Sequence, residues 1–305
     1  MAKSYGLLFP GQGSQFTRMG ESFFDLDNDF KDKVEEVNDI AKFDLLKLIM
    51  DGPKEQLDQT QFTQPALYFV SSIIYDRIML SGKVDLSLVA GHSVGEVAAA
   101  YGSGSISFED GLRFVIKRGE LMSKATPPQF GSMAAIIGLT ADKIDSAIKE
   151  FDQGISIANY NSPLQSVVAG ERGKIEEFGR KIKELGAKKY VLLPVSGPFH
   201  TKFMNKAKEE LKEFVDSIEF KEPKVKLLRN LDAKLVESGD KIKEGLIEQI
   251  SSPVLWSDSI LKLSSMNVKS LIEVGPGKTL AALAKRTDSS LEVISINDVT
   301  DLGRI

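Results

Sequence analysis

Val89-Ala90-Gly91-His92-Ser93-Val94-Gly95-Glu96-Val97-Ala98 is the stretch on which the reading of the fold turns. The residues leading into it, Asp85 to Ala90, form a short apolar run of the kind that makes a buried strand. The residues after it place Val94, Val97, Ala98 and Tyr101 on one face of a helix. Between them stands G-x-S-x-G, which in a strand–turn–helix context is a nucleophile elbow. Its serine sits on a sharp, strained turn with the hydroxyl clear of the backbone, and side chains at the flanking glycines would collide with neighbouring elements. Free N–H groups at the start of the following helix face any negative charge that develops there. Ser93-Val94-Gly95-Glu96 also reads as a capping box, S-x-x-E, with no chemistry at all. That reading leaves Gly91 and Gly95 without a reason.

Working outward, Tyr5 to Phe9 is a second short buried strand, running into the turn Pro10-Gly11-Gln12-Gly13-Ser14. Amphipathic sequence continues to Met50 and stops at Asp51-Gly52-Pro53. A helix is expected from Thr63, with Pro65 in its first turn, to Leu80. Strands alternating with helices imply a parallel sheet covered on both faces. Between 128 and 195 the pattern changes: strands at Ser132–Leu139, Ile155–Tyr160, Gln165–Ala169 and Lys189–Val195, with helices at Thr140–Phe151 and Lys174–Leu185. That β-α-β-β-α-β order is ferredoxin-like. The expected fold is therefore α/β, an α/β-hydrolase-like core with a parallel sheet plus an inserted small ferredoxin-like (βαββαβ) subdomain. Residues 1–127 and 196–305 would form the large part and 128–195 the insertion. The segment from 288 to 305 adds a strand and a polar end.

Composition narrows the chemistry. The 305 residues are 42% hydrophobic and 27% charged, an ordinary folding composition, with a net charge of −4 that speaks against nucleic acid as a partner. No run approaches the roughly 18 apolar residues of a membrane span. There is no cysteine, so disulfides, thiolate metal sites and a cysteine nucleophile are excluded. With two histidines in the chain a histidine-rich metal site is excluded too, and no metal is expected. These features describe a soluble, cytoplasmic protein.

A serine nucleophile needs a base, and only His92 and His200 are available. His92 precedes the serine in the turn, where its ring points away from the hydroxyl. His200 follows Ser196-Gly197-Pro198-Phe199 and precedes a helix with Met204, Ala207, Leu211 and Phe214 on one face. It reads either as the general base or as a loop histidine near a helix start. Arg118 lies on a helix from Phe108 to Ala125, sharing its face with Gly111, Phe114, Val115 and Met122. An arginine there either binds an anion or snorkels at the edge of the core. Gln12 and Asn161 both admit turn-forming roles, and Gln64 a structural one. Gly11-Gln12-Gly13-Ser14-Gln15-Phe16 lacks the third glycine of a dinucleotide fingerprint, and Gly277-Lys278-Thr279 lacks the first glycine of a P-loop.

Eight pieces, in order, resemble the malonyl-CoA:acyl carrier protein transacylase family. They are Phe9-Pro10-Gly11-Gln12-Gly13-Ser14-Gln15, Thr63-Gln64-Pro65-Ala66-Leu67, Gly91 to Glu96, Arg118-Gly119 with Leu121-Met122, Asn161-Ser162-Pro163, Gly197-Pro198-Phe199-His200, Gln249 with Pro253-Val254 and Trp256, and Glu273-Val274-Gly275-Pro276-Gly277. The resemblance implies ping-pong transfer of a malonyl group through an ester on Ser93, with His200 as base and the N–H groups of Gln12 and Val94 as oxyanion hole. It implies a main-chain carbonyl near Gln249 that orients His200 in place of a carboxylate, and Arg118 as the receptor of the free malonyl carboxylate. Asn161, Phe199 and His92 are further substrate-binding candidates, and Phe199 resembles the malonyl-selective form of its loop. A coenzyme A thioester enters as substrate, no cofactor is held permanently, and an acyl carrier protein is the partner of an enzyme read as a monomer. Lys181, Lys183, Lys202 and Lys206 are candidates for steering that acidic partner. A serine thioesterase or hydrolase on the same elbow, a transferase for another extender acyl group, and a non-catalytic carrier-binding module are the competing readings.

Overall fold

A computed structural model describes residues 3–24, 28–151 and 154–305. Its first strand, β1 (Lys3–Phe9), ends where Pro10 and Gly11 interrupt pairing. Strand β2 (Val84–Gly91) lies parallel to it, with Leu8 opposite Ala90 and Phe9 opposite Gly91, so the two turns that follow them are neighbours. The small sheet is made of β3 (Gly131–Ile137), β4 (Ile155–Ser162), β5 (Gln165–Glu171) and β6 (Lys189–Leu192). Then come β7 (Leu227–Leu228), β8 (Leu235–Val236), β9 (Ser270–Val274) and β10 (Glu292–Ile296). The large sheet has the order β10-β9-β1-β2-β7-β8 and is parallel except for the final β7–β8 pair.

Alternation along β1 explains why both faces are covered. Leu7 and Phe9 join one core with Phe69, Val97 and Phe114, whereas Leu8 joins another with Trp256, Leu271 and Leu280. The helices Thr60–Leu80, Gly95–Gly102 and Phe108–Lys124 lie on the first face. The Gln12 and Ser93 turns considered below leave the carboxyl ends of the parallel strands β1 and β2, where open α/β sheets place their sites.

The second sheet is antiparallel, in the order β4-β5-β3-β6. Ala134, Ile136, Ile157 and Val168 bury one face under the helices Ala141–Phe151 and Arg172–Glu184, while Met133, Val167 and Ala169 turn the other face into the main core. Its outer strand β4 is stitched to the large part: Tyr160 N–H donates to Val254 O at 2.9 Å and Val254 N–H to Ala158 O at 2.9 Å. No helix among the described residues is long and apolar enough to cross a membrane.

Several boundaries differ from expectation. The helix expected from Thr63 starts at Thr60, so Pro65 is its sixth residue rather than part of its first turn. Burial decides this, because Thr60, Thr63 and Gln64 all pack inside and the helix is extended to seat them. Asn161 and Ser162 belong to β4, and the turn is moved on to Pro163-Leu164. Strand β6 ends at Leu192, just before Leu193-Pro194, since a proline supplies no N–H to continue a ladder. The two-residue strands β7 and β8 are too short to leave any periodic trace.

Candidate active site

The turn between β2 and the helix Gly95–Gly102 has the geometry of an elbow. Ser93 adopts φ 53°, a left-handed backbone that costs an L-residue roughly 1–2 kcal/mol. The flanking glycines are sterically required. A Cβ on Gly91 would lie 2.0 Å from the Gly95 carbonyl carbon, and one on Gly95 would lie 2.1 Å from Phe9 O. The capping-box reading fails here, because the Ser93 hydroxyl faces His200 and the Glu96 carboxylate is bonded elsewhere.

His200 arrives from the other side of the cleft on the turn Pro198–Thr201, also with a left-handed backbone at φ 59° and buried. Thr201 Oγ–H ties this turn by donating to Pro198 O at 2.6 Å. The Nδ1–H of His200 donates to the Gln249 carbonyl at 2.8 Å, which leaves Nε2 as the acceptor 2.7 Å from Ser93 Oγ. The tautomer is thus set for taking the hydroxyl proton. Burial pushes the imidazole pKa down, and the neighbouring Arg118 cation pushes it further, to about 3. The free ring is neutral at physiological pH. His92 points away from the hydroxyl, as expected: its Nε2–H donates to Asn161 Oδ1 at 2.8 Å and its ring meets Trp256 edge-on at 5.4 Å. It joins the elbow to β4.

Arg118 is 1% exposed and lies beside the serine. Its Nη1 donates to Gln64 Oε1 at 2.6 Å, and its Nη2 to Gln249 Oε1 at 2.8 Å and Ser93 Oγ at 3.2 Å. All three acceptors are neutral, and among the described residues its buried Nε–H has no acceptor. Desolvation lowers its pKa to about 10, Glu96 opposing that shift, so the group is still a cation. Gln64, which read as structural, therefore orients this charge. The partly buried Gln12 lies across from the elbow, its side-chain amide donating to Thr60 Oγ1 at 3.1 Å. Among the described residues neither the Gln12 nor the Val94 backbone N–H has an acceptor.

Two residues that were not singled out for the site hold this arrangement together. Asn230, completely buried, accepts the Ser93 N–H at 2.8 Å and donates to Gly91 O at 2.6 Å, clamping both ends of the elbow. Glu96 accepts the Asn230 N–H at 3.1 Å and the Gln249 Nε2–H at 2.5 Å, and burial raises its carboxyl pKa to about 7. Asn230 follows the two-residue β7, so nothing local marks it, and Glu96 was legible only as a capping residue. A cavity of ≈ 80 Å³ joins Gln12, Ser93, Val94, Arg118, Phe199 and His200. Asn161 meets it only through His92, and the Gln249 side chain lies behind Arg118. A wider groove of ≈ 920 Å³ lies on the opposite face of the helix Phe108–Lys124, but its lining, which includes Glu36, Glu109, Arg113, Lys117 and Ser217, holds no serine–histidine pair. Of the candidate lysines, Lys181 pairs with Glu150 at 3.2 Å and Lys206 with Glu210 at 3.8 Å, both on exposed surface.

Residues 7–304 match the family described as the acyl transferase domain. The chain belongs to that family. This acyltransferase is 37% identical over 310 residues to the malonyl CoA-acyl carrier protein transacylase of Haemophilus influenzae, covering 99% of this chain and 98% of that one. It is 40% identical over 283 residues to the polyketide biosynthesis protein ThaF of Burkholderia thailandensis, matching 92% of this chain but 24% of that longer protein. A solved malonyl-transacylase in complex with a type II polyketide synthase acyl-carrier protein superimposes on the acyltransferase with a TM-score of 0.94, at 37% identity and 98% coverage of both chains.

Proposed function

We propose that this acyltransferase moves a malonyl group from malonyl-CoA to the phosphopantetheine thiol of an acyl carrier protein, by way of an ester on Ser93. The observation that carries the proposal is Arg118: a buried cation beside the nucleophile, oriented by two amide oxygens and a hydroxyl, with no anion in contact among the described residues. Such a charge suits a substrate that brings its own carboxylate. An acetyl group would leave the guanidinium unpaired, and sites of this kind reject such analogues by about 10⁴–10⁵.

Neutral His200 Nε2 takes the Ser93 proton as Oγ bonds to the thioester carbonyl carbon, and the electron pair of the C=O moves onto oxygen. The N–H groups of Gln12 and Val94 receive that oxyanion, each donor of this kind being worth about 2.7–4 kcal/mol. Collapse breaks the C–S bond, and the imidazolium returns its proton to the departing coenzyme A sulfur. The carrier thiol then repeats the sequence on the serine ester, its proton passing to His200 and back to Ser93. The Gln249 carbonyl keeps the imidazole oriented, standing where a triad carboxylate would. Phe199 limits room beside the acyl group, and His92 with Asn161 supports the wall behind it.

In this reading residues 1–127 and 196–305 form an α/β-hydrolase-like unit carrying nucleophile and base. Residues 128–195 form a ferredoxin-like insertion, a description that the strand order β4-β5-β3-β6 supports. Intact-protein mass after brief mixing with malonyl-CoA tests the function. A malonyl adduct on the wild type, absent from Ser93→Ala, not formed from acetyl-CoA and discharged by a phosphopantetheine thiol, is the expected result. Release of free malonate with no adduct would make it a hydrolase.

A further inference from the structure

Among the described residues no carboxylate touches Arg118, yet one is held a single residue away. Its Nη2 donates to Gln249 Oε1 at 2.8 Å, and the other end of that amide, Nε2, donates to Glu96 Oε2 at 2.5 Å. Gln249 and Glu96 are 0% and 1% exposed. A buried carboxylate polarises the amide that it binds, and a polarised amide oxygen is a better acceptor for a guanidinium. It does so without neutralising the guanidinium, as direct contact would. The same Gln249 places its main-chain carbonyl on His200 Nδ1. One residue therefore sets the general base through its backbone and the cation through its side chain.

We infer that Glu96 and the side chain of Gln249 are positioning residues for substrate selection, a carboxylate–amide relay that holds Arg118 ready for the free carboxylate of the acyl group. The inference rests on the malonyl-transfer reading and assigns a task separate from serine activation. Gln249 Nε2 also reaches Ser93 O at 3.1 Å and Asn230 Oδ1 at 3.2 Å, so the amide cannot flip without losing donors to two acceptors besides Glu96. Its orientation is over-determined.

Two reactions of Ser93 separate this role from a merely structural one. Malonyl ester formation needs the carboxylate receptor, whereas labelling by an uncharged fluorophosphonate needs the serine, the base and the oxyanion hole but no carboxylate receptor. In Gln249→Ala the rate of malonylation should fall about 100-fold further than the rate of labelling, and in an Arg118→Ala background the same change should alter malonylation less than about threefold, the signature of residues acting as one unit. Glu96→Ala should lower the malonylation-to-labelling ratio at least about tenfold, while Glu96→Gln, which keeps an acceptor oxygen for the amide but not the charge that polarises it, should fall between wild type and Glu96→Ala. If Gln249→Ala does not fold, Gln249→Met, of similar length and without an amide, takes its place. Equal losses in the two reactions, additive effects with Arg118→Ala, or an unchanged ratio in Glu96→Ala would overturn the relay. A wild type that is labelled by the phosphonate but never forms a malonyl ester would instead overturn the transfer reading itself, and the relay with it.

Discussion

The helix Phe108–Lys124 carries two arginines that meet opposite fates. Arg113, on the groove side, is half exposed and pairs with Glu109 one turn away. Arg118, five residues on, faces inward and is surrounded by Gln64, Gln249 and Ser93. On the outer face water and a neighbouring carboxylate satisfy the charge, and the pair contributes about 0.3–0.5 kcal/mol. On the inner face the charge is kept whole, because its partners are dipoles. A site is recognised by what is left unsatisfied, and cavity size is a poor guide: the groove is the larger space by far.

The largest test of that contrast is Arg118→Ala. It should cost about 2–5 kcal/mol in kcat/KM for malonyl-CoA, the range for truncating one partner of a buried charge pair, and should erase the preference over acetyl-CoA. Competition between the two thioesters in an adduct assay measures it, and a preserved preference would leave the inner arginine no different from the outer one. Arg118→Lys keeps the charge but loses the planar fork, so selectivity should fall between wild type and alanine when measured in the same assay.

A third test uses pH. His200 lies far below its usual range, first through burial and then through Arg118, so the acid limb of kcat/KM should lie well below pH 6.5. Removing the cation relieves one of the lowering causes, so Arg118→Ala should move that limb upward, whereas Arg113→Ala should leave it in place. A downward shift would contradict the sign of the interaction. For stability the same group works in one direction: a depressed imidazole contributes stability that is intact above about pH 6.5 and lost as pH falls toward the folded value. The smallest effect belongs to Arg113→Ala itself, which should stay within about 0.5 kcal/mol of wild type in chemical denaturation.

The inward face of this helix was legible because a 3.6-residue period is a local property: Gly111, Phe114, Val115, Arg118 and Met122 are all buried. Residue scarcity did similar work for the proposed base, since two histidines left little choice. The Gln249 carbonyl is in place beside His200, where the family resemblance put it. What could not be read was anything that depends on distant segments meeting. Asn230 clamps a turn 137 residues away from it in sequence, and Glu96 finds its partners at Asn230 and Gln249. Asn161 was expected in a turn because Asn-Ser-Pro favours one, yet pairing with β5 carries the strand through Ser162. Local propensity lost there to the ladder.

Ser93 and His200 both sit in backbone conformations that glycine would occupy at less cost. Among the described residues Arg18, Lys42, Gln129, Ala233 and Asn267 share this left-handed backbone. A programme that sought heat resistance by replacing strained residues would find the two positions of the proposed chemistry among seven candidates and should spare them. In this protein thermal robustness and turnover compete at the level of single φ angles. Hardening it without silencing it means working elsewhere, at the other five left-handed positions or on surface helices.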